Sequence, residues 1–309
     1  MCMNHCGNND THEDKDMIAR RNLVQALGAG AVITAAPSLS SCATNAETGR
    51  KQFLGLAPGN AQLTQMAAAS WAELKQKTPT STDPRYTSRL RNIGSRISKG
   101  ANRGDQTWDY AVFDSESRNA FVLPGNRVGF YKGMMDFTDN DDQIAGIMGH
   151  EVGHVSGEHA RERFSLQMAS QAAVVGGAVL GGTALSGSCN KLAGTQRTNC
   201  LNTANRNTQY LVQAIGLGAQ IGLVLPYSRK HETESDLLGV NYMQRAGYDP
   251  YQAVKLWEKM GASGSSRSPE FLSTHPSPST RASTIHAYIK SQEALGSQGF
   301  KSIKSFTKA

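Results

Sequence analysis

The segment of this sequence that most constrains its fold is His150-Glu151-Val152-Gly153-His154. A cap at Asp139, Asn140 or Asp141 predicts a helix that continues to about Phe164. On such a helix the two histidines lie about 40° apart on one face and one turn apart, so both imidazoles can reach one metal ion. Glu151 places a carboxylate near the same ion, a pattern typical of zinc metallopeptidases. The chain must therefore bury a helix that carries a metal site.

A catalytic zinc site needs a third protein ligand and an open position for water. An acidic cluster lies on a helix predicted from about Ser228 to Arg245, and Glu232 and Asp236 lie one turn apart on one face of it. We predict that Glu232 is the third ligand and that Asp236 accepts the N–H of a ligand histidine. Glu234 points away from this pair and is predicted to be solvated. His231 is an alternative third ligand.

Composition excludes several classes of protein. The 309 residues are 39% hydrophobic and 18% charged, with a mean hydropathy of −0.43, which excludes a polytopic membrane protein and a fully disordered chain. The net charge of +7 comes without a basic run interleaved with aromatic residues, so no nucleic-acid partner is expected. The length suits one large domain with a sizeable core.

The N-terminal segment has the features of a processing signal. Arg20 and Arg21 precede a weakly apolar, Gly/Ala-rich stretch that ends at Leu39-Ser40-Ser41-Cys42, which resembles a bacterial lipobox. We predict that residues 1–41 are a lipoprotein signal peptide and that Cys42 is acylated. The paired arginines are also compatible with twin-arginine export. A buried N-terminal helix is the alternative.

The remaining cysteines, Cys189 and Cys200, are predicted to form a disulfide outside the cytoplasm, worth about 3 kcal/mol for a loop of this size. Two reduced thiols on a surface loop are the alternative. Residues 42–60 are small, polar and Gly/Pro-containing and are predicted to be a lipidated tether. Residues 61–309 are then the folded domain.

Periodicity across the domain predicts an α+β fold that is mainly helical. Three short β-branched and aromatic runs predict a small antiparallel sheet. Helical periodicity covers most of the rest of the chain. The predicted strands lie at 108–114, 120–123 and 127–131, and the further predicted helices at 61–77, 83–97, 210–225, 250–260 and 279–295. The apolar segment 166–187 is predicted to be a buried or membrane-grazing helix, with a transmembrane helix as the alternative.

Several motifs occur together in a fixed order between about residues 85 and 290. They are Asn119–Gly125, Gly149–His154 with His159, Ser228–Asp236, Ala246–Pro250, and Ser273–Pro276 with Arg281. In this the chain resembles the HtpX-like and CAAX-prenyl-protease-like zinc metallopeptidases, in their soluble periplasmic lipoprotein (LoiP-type) branch. The resemblance implies a zincin-like (gluzincin) domain and one Zn²⁺ per chain, with His150, His154 and Glu232 as ligands and Glu151 as general base.

Other residues of these motifs have chemistry suited to substrate. An exposed strand could add an extended polypeptide through its main chain, and its candidate residues are Asn119, Ala120, Phe121 and Val122. His275 and Arg281 could stabilise the oxyanion, or His275 could cap the open zinc position. His159 is expected to support the helix that carries the histidine pair.

Together these features predict a zinc endopeptidase of the bacterial envelope that acts on extended or unfolded polypeptides, such as misfolded or unassembled envelope proteins. Its membrane contact would be the lipid at Cys42, and by the sorting pattern that the resemblance implies, Ala43 after this cysteine favours the outer membrane over the inner. The oligomeric state is left open. One rival is a chaperone-like lipoprotein with a structural or autoinhibited zinc site. Another is an integral membrane protease, should 166–187 span the bilayer.

Overall fold

The computed structural model describes residues 42–170, 189–203, 228–263, 269–275, 280–294 and 303. The predicted signal peptide, the helix predicted at 210–225 and most of 166–187 lie outside these residues. In the described part of the chain, no helix combines the length and apolar character needed to cross a bilayer.

The fold is mainly helical with a small sheet, as predicted. Its strands are β1 (Cys42–Thr44), β2 (Lys51–Phe53), β3 (Asp109–Phe113), β4 (Ala120–Leu123) and β5 (Arg127–Tyr131). Its helices are α1 (Asn60–Lys77), α2 (Pro84–Gly100), α3 (Lys132–Phe137), α4 (Asp141–Ser156), α5 (Arg229–Arg245), α6 (Tyr251–Ala262), α7 (Phe271–Thr274) and α8 (Arg281–Glu293). Residues 159–170 and 194–203 are also helical.

Local sequence signals set the starts of three long helices. The side chains of Asp83, Asn140 and Ser228 each accept a backbone N–H bond in the first turn of α2, α4 and α5. Each helix therefore begins where an N-cap satisfies donors that the helix cannot. Behind its cap, α2 buries an apolar face that includes Leu90 and Ile97.

Helices α4 and α5 approach closely through glycines. A Cβ added at Gly239 would lie 2.9 Å from the backbone nitrogen of His150, and one at Gly153 would lie 2.8 Å from the carbonyl oxygen of Ser235. A larger residue at either position would push the backbones apart. This contact brings the histidine pair of α4 next to the acidic cluster of α5.

The three-stranded sheet has the order β3-β5-β4 and is mixed, which corrects the antiparallel prediction. β4 and β5 form an antiparallel hairpin across a turn where Gly125 and Asn126 have positive φ. β3 lies on the other side of β5 and runs parallel to it, with Asp109 opposite Arg127. A short sequence can show strand propensity, but the side of β5 on which β3 pairs depends on the path of the whole chain. As a result, β4 is an edge strand.

Two further differences concern the ends of the predicted segments. Strands β1 and β2 pair, so residues 42–53 form a hairpin where a tether was predicted. The buried Asn45 and Gln52 side chains donate to the carbonyls of Ser156 and Gly157 and hold the hairpin on the end of α4. Helix α4 stops at Ser156 instead of about Phe164, because the chain turns through Glu158, which has a φ of 51°.

The structure joins Cys189 to Cys200 by a disulfide with a Cα–Cα distance of 5.7 Å. The Cys189 side chain is buried. The cross-link closes the loop 189–200, which contains the first seven residues of the helical segment 194–203.

Candidate active site and metal centre

Four potential metal ligands converge in the interior of the protein. His150 and His154 come from α4, Glu232 from α5, and His275 from the end of α7. Their ligand atoms all lie within 4.8 Å of one another, and all four side chains are buried. The Nε2 atoms of the two α4 histidines are 3.0 Å apart. Three imidazoles and one carboxylate are a donor set that zinc prefers, so these residues fit a metal ion.

The outer nitrogen of His150 is held by an acidic side chain. Its Nδ1 lies 2.8 Å from Oδ1 of Asp236, which accepts a hydrogen bond from the ring N–H, so that Nε2 can face the ion. Burial alone would raise the pKa of Asp236, but Arg281 and His150 more than offset it and lower that pKa. The carboxylate is thus ionised and can orient the ring.

Arg281 lies behind the ligands. Its Nε donates to Asp236 at 2.7 Å and its Nη1 to Glu232 at 2.8 Å, while the guanidinium stacks over the Trp257 ring at 3.5 Å. The sequence suggested an oxyanion role for Arg281. In the structure its donors are directed at two carboxylates and it clamps α8 to α5.

The ring nitrogen of His154 that faces away from the ligand group, Nδ1, belongs to a second hydrogen-bond network. His154 Nδ1 lies 3.0 Å from Nδ1 of His159, whose Nε2 lies 3.0 Å from Oε2 of Glu234. Glu234 is fully buried, which corrects the prediction that it is solvated. Its side of α5 is covered by the segment after α4 and by the N-terminal hairpin, a contact that helical periodicity cannot show. Arg50 of the hairpin donates to Glu234 at 2.6 Å.

The sequence analysis did not single out Arg50, and no local signal could have found it, because its partners lie 112 and 184 residues away. His231, the alternative third ligand, points away from the metal group. Its Nε2 lies 3.0 Å from Glu162, and its ring stacks on His159 with centroids 4.4 Å apart.

Glu151 lies beside the four potential ligands, with its Oε1 3.3 Å from Nε2 of His275. Burial is the main influence on this carboxyl group and raises its pKa to about 8. Burial would also raise the pKa of Glu232, but hydrogen bonds from His150 and His275 offset it and lower that pKa far below its usual range. Glu232 is therefore held as an anion, whereas burial favours the protonated form of the Glu151 carboxyl group.

The edge strand β4 borders the same site. The carbonyl of Asn119 accepts from the backbone N–H of Tyr131, so by alternation the main-chain groups of Ala120 and Val122 face the free edge. A backbone hydrogen bond links Val122 to the Glu151 carboxyl group. Phe121 instead packs its ring against Phe113.

A cleft of about 490 Å³ opens beside β4 and reaches His154. Its lining includes Val122 and the turn that follows it, and Glu158 and Arg161 of the segment after α4. The N-terminal hairpin closes one side through residues 45–47. An extended chain lying in this cleft would run alongside the free edge of β4.

The fold and the site together define a zincin-like metallopeptidase domain, with the histidine pair on one helix, an acidic ligand on a second and a glutamate beside the ion position. Residues 84–289 match peptidase family M48, and the chain belongs to this family.

Relatives of the chain are proteases. It is 29% identical over 206 residues to the mitochondrial metalloendopeptidase OMA1 of Schizosaccharomyces pombe, covering 66% of this chain and 52% of that protein. It is 28% identical over 266 residues to the beta-barrel assembly-enhancing protease of Escherichia coli K12, covering 85% and 51%. It is 23% identical over 266 residues to the metalloprotease LoiP of the same organism, covering 86% and 95%. The chain thus spans about half the length of the first two relatives.

Proposed function

We propose that this chain is a zinc-dependent endopeptidase of the bacterial cell envelope, with one Zn²⁺ held by His150, His154 and Glu232. The observation that carries the proposal is the buried ligand group with the Glu151 carboxyl beside it. A purely structural site would have no use for a free carboxyl group at this position.

The mechanism assigns each residue a task. Zinc bound here would lower the pKa of water and polarise a peptide carbonyl. Glu151 takes a proton from the attacking water and delivers it to the leaving amine, a transfer suited to its raised pKa. Asp236 holds the His150 ring, and Arg281 positions Asp236 and Glu232 together.

His275 has a part of its own. Its Nδ1 lies 3.2 Å from both His150 Nε2 and Glu232 Oε1. This placement favours His275 as a fourth ligand in a resting state over a role in oxyanion stabilisation. His275 comes from a different segment than the other three ligands, so on this proposal substrate would displace it while those three stay in place.

Substrate would bind as an extended strand along the free edge of β4. Because the backbone N–H of Ala120 donates to Asn119 Oδ1 and that of Val122 to Glu151, the main-chain carbonyls of these two residues are the groups proposed to pair with it. Because the ligands are buried, an extended polypeptide could reach them through the cleft, whereas a folded protein could not. We therefore propose misfolded or unassembled envelope proteins as substrates. Two relatives named as proteases of Escherichia coli support this setting.

Attachment to the membrane is proposed through acylation of Cys42, at the periplasmic face of the outer membrane. The lipobox-like sequence before it supports this assignment. In cells, wild-type protein should fractionate with membranes and incorporate labelled palmitate. Cys42→Ala, exported through a cleavable signal, should be released as unlabelled soluble protein; a Cys42→Ala protein that stays with the membrane would refute the anchor.

The test of the activity is Glu151→Gln, with Glu258→Gln on the exposed face of α6 as a matched control. Loss of a general base should lower casein cleavage by about 10²- to 10⁴-fold, while zinc content stays at the wild-type value. Glu258→Gln should cleave like wild type. Cleavage by Glu151→Gln at the wild-type rate would refute the general-base role of Glu151, and a zinc-loaded wild-type protein that cleaves no casein would favour the chaperone-like alternative.

A further inference from the structure

A buried ionic network connects the N-terminal hairpin to the interior of the domain. Arg50 donates through Nε to Glu234 at 2.6 Å and through Nη1 to Glu162 at 2.7 Å. Its side chain is 11% exposed, and the two carboxylates are 9% exposed or less. Gln52 also donates to Glu162, at 3.0 Å. A cation shared by two buried carboxylates offsets charges that would otherwise repel in a medium of low polarity.

The network ends on the proposed metal ligand His154. If His154 binds an ion through Nε2, its Nδ1 carries the proton and donates to Nδ1 of His159. His159 then carries its own proton on Nε2 and donates to Glu234. Every donor in this hydrogen-bond network then has an acceptor, and Arg50 donates to the other oxygen of Glu234.

We propose that Arg50 is a positioning residue for the metal centre: by fixing Glu234 it fixes His159, and through it the ring of His154. The proposal rests on the proposed zinc site but not on peptidase activity. It assigns a role to a residue outside the part of the chain that matches the family, residues 84–289. Arg50 also lies eight residues after Cys42, so the proposed membrane attachment and the metal centre share one hairpin.

The physical reason lies in what remains when Arg50 is removed. Glu234 and Glu162 would then lose the cation that they share, leaving Glu162 with His231 and Gln52 and leaving Glu234 with His159, and Glu234 would take up a proton or rotate away. His159 would lose its fixed acceptor, and the His154 ring would lose the partner that sets its tautomer and angle. Loss of such outer contacts typically lowers metal affinity or activity by about 10- to 100-fold.

The experiment compares Arg50→Met and Arg50→Lys with Arg96→Met. Arg96 is a matched control because it also ties two elements together, donating to the Ala246 carbonyl at 2.6 Å and stacking on Tyr248, away from the ligand group. Zinc affinity is measured by competition with a chelator, and Co²⁺-substituted protein is examined by visible absorption. Thermal unfolding of the metal-free proteins gives their stability.

Arg50→Met should bind zinc about 10- to 100-fold more weakly and shift the Co²⁺ bands. Arg50→Lys keeps the positive charge but not the guanidinium that donates to both carboxylates, so its zinc affinity should lie between those of wild type and Arg50→Met. Arg96→Met should unfold at a lower temperature with wild-type zinc affinity and spectrum. Where cleavage is measured, Arg50→Met should lower kcat with KM unchanged.

Wild-type zinc affinity in Arg50→Met would overturn the proposal, as would an equal loss of affinity in Arg96→Met. Should Arg50→Met fail to fold, the double variant Arg50→Met/Glu162→Gln removes one negative charge together with the positive charge. Weakened zinc binding by the double variant would then support the proposal, and wild-type affinity would overturn it. A wild-type protein that binds zinc without cleaving casein would refute the proposed function and leave this inference standing.

Discussion

Asp236 offers the sharpest test of how the metal centre is built. In Asp236→Asn the amide oxygen can still accept from Nδ1 of His150, as the carboxylate does at 2.8 Å. The amide nitrogen then replaces the oxygen that accepts from Nε of Arg281 at 2.7 Å, so two donors face each other. Breaking one partner of a buried ion pair costs about 3–5 kcal/mol, and because Glu232 still contacts Arg281, about 3 kcal/mol is expected.

Zinc affinity should fall with stability, because the His150 ring is no longer oriented by a charged acceptor. The expected loss is about 10- to 100-fold, or ~1.4–2.7 kcal/mol of binding free energy. Urea unfolding of the metal-free protein measures the loss of stability, and competition with a chelator measures the loss of zinc affinity. Asp141→Asn, which breaks an exposed pair with Arg89, should change neither appreciably. An Asp236→Asn protein with wild-type stability and wild-type zinc affinity would refute this account of the site.

Two further predictions concern the frame around the site. Gly239→Ala would place a methyl group 2.9 Å from the His150 backbone nitrogen and should lower the free energy of unfolding in urea by about 1–3 kcal/mol. Gly261→Ala, whose methyl group would have nothing within 4 Å, should not lower it. Equal stability of the two variants would contradict the close contact between α4 and α5. Burial would raise the pKa of Glu162, but His231 and Arg50 lower it well below its usual value. Ionised Glu162 therefore contributes to the free energy of unfolding above about pH 4.3, and this contribution is lost as the pH falls further. The stability advantage of metal-free wild type over Glu162→Gln should therefore shrink between pH 7 and pH 3, and a constant difference would rule this out.

Local signals in the sequence were enough to predict most of the elements. The N-caps at Asp83, Asn140 and Ser228 and the apolar periodicity behind them act within a few residues, so helix positions follow from nearby sequence. The histidine pair and the Glu232–Asp236 pair are each set by the pitch of one helix. For that reason the candidate ligands could be named without knowing how the two helices meet.

The tertiary structure decided what depends on contacts between distant parts of the chain. It buries Glu234, because the hairpin and the segment after α4 cover that face of α5. It places β3 parallel to β5, and it turns Arg281 toward Asp236 and Glu232. It also brings Arg50, which has no distinguishing local sequence, to the back of the metal centre. A periodic pattern shows which residues share a face, but what covers that face is set by pairings between residues that are distant in the sequence, up to 184 residues apart, and these arise only when the chain folds.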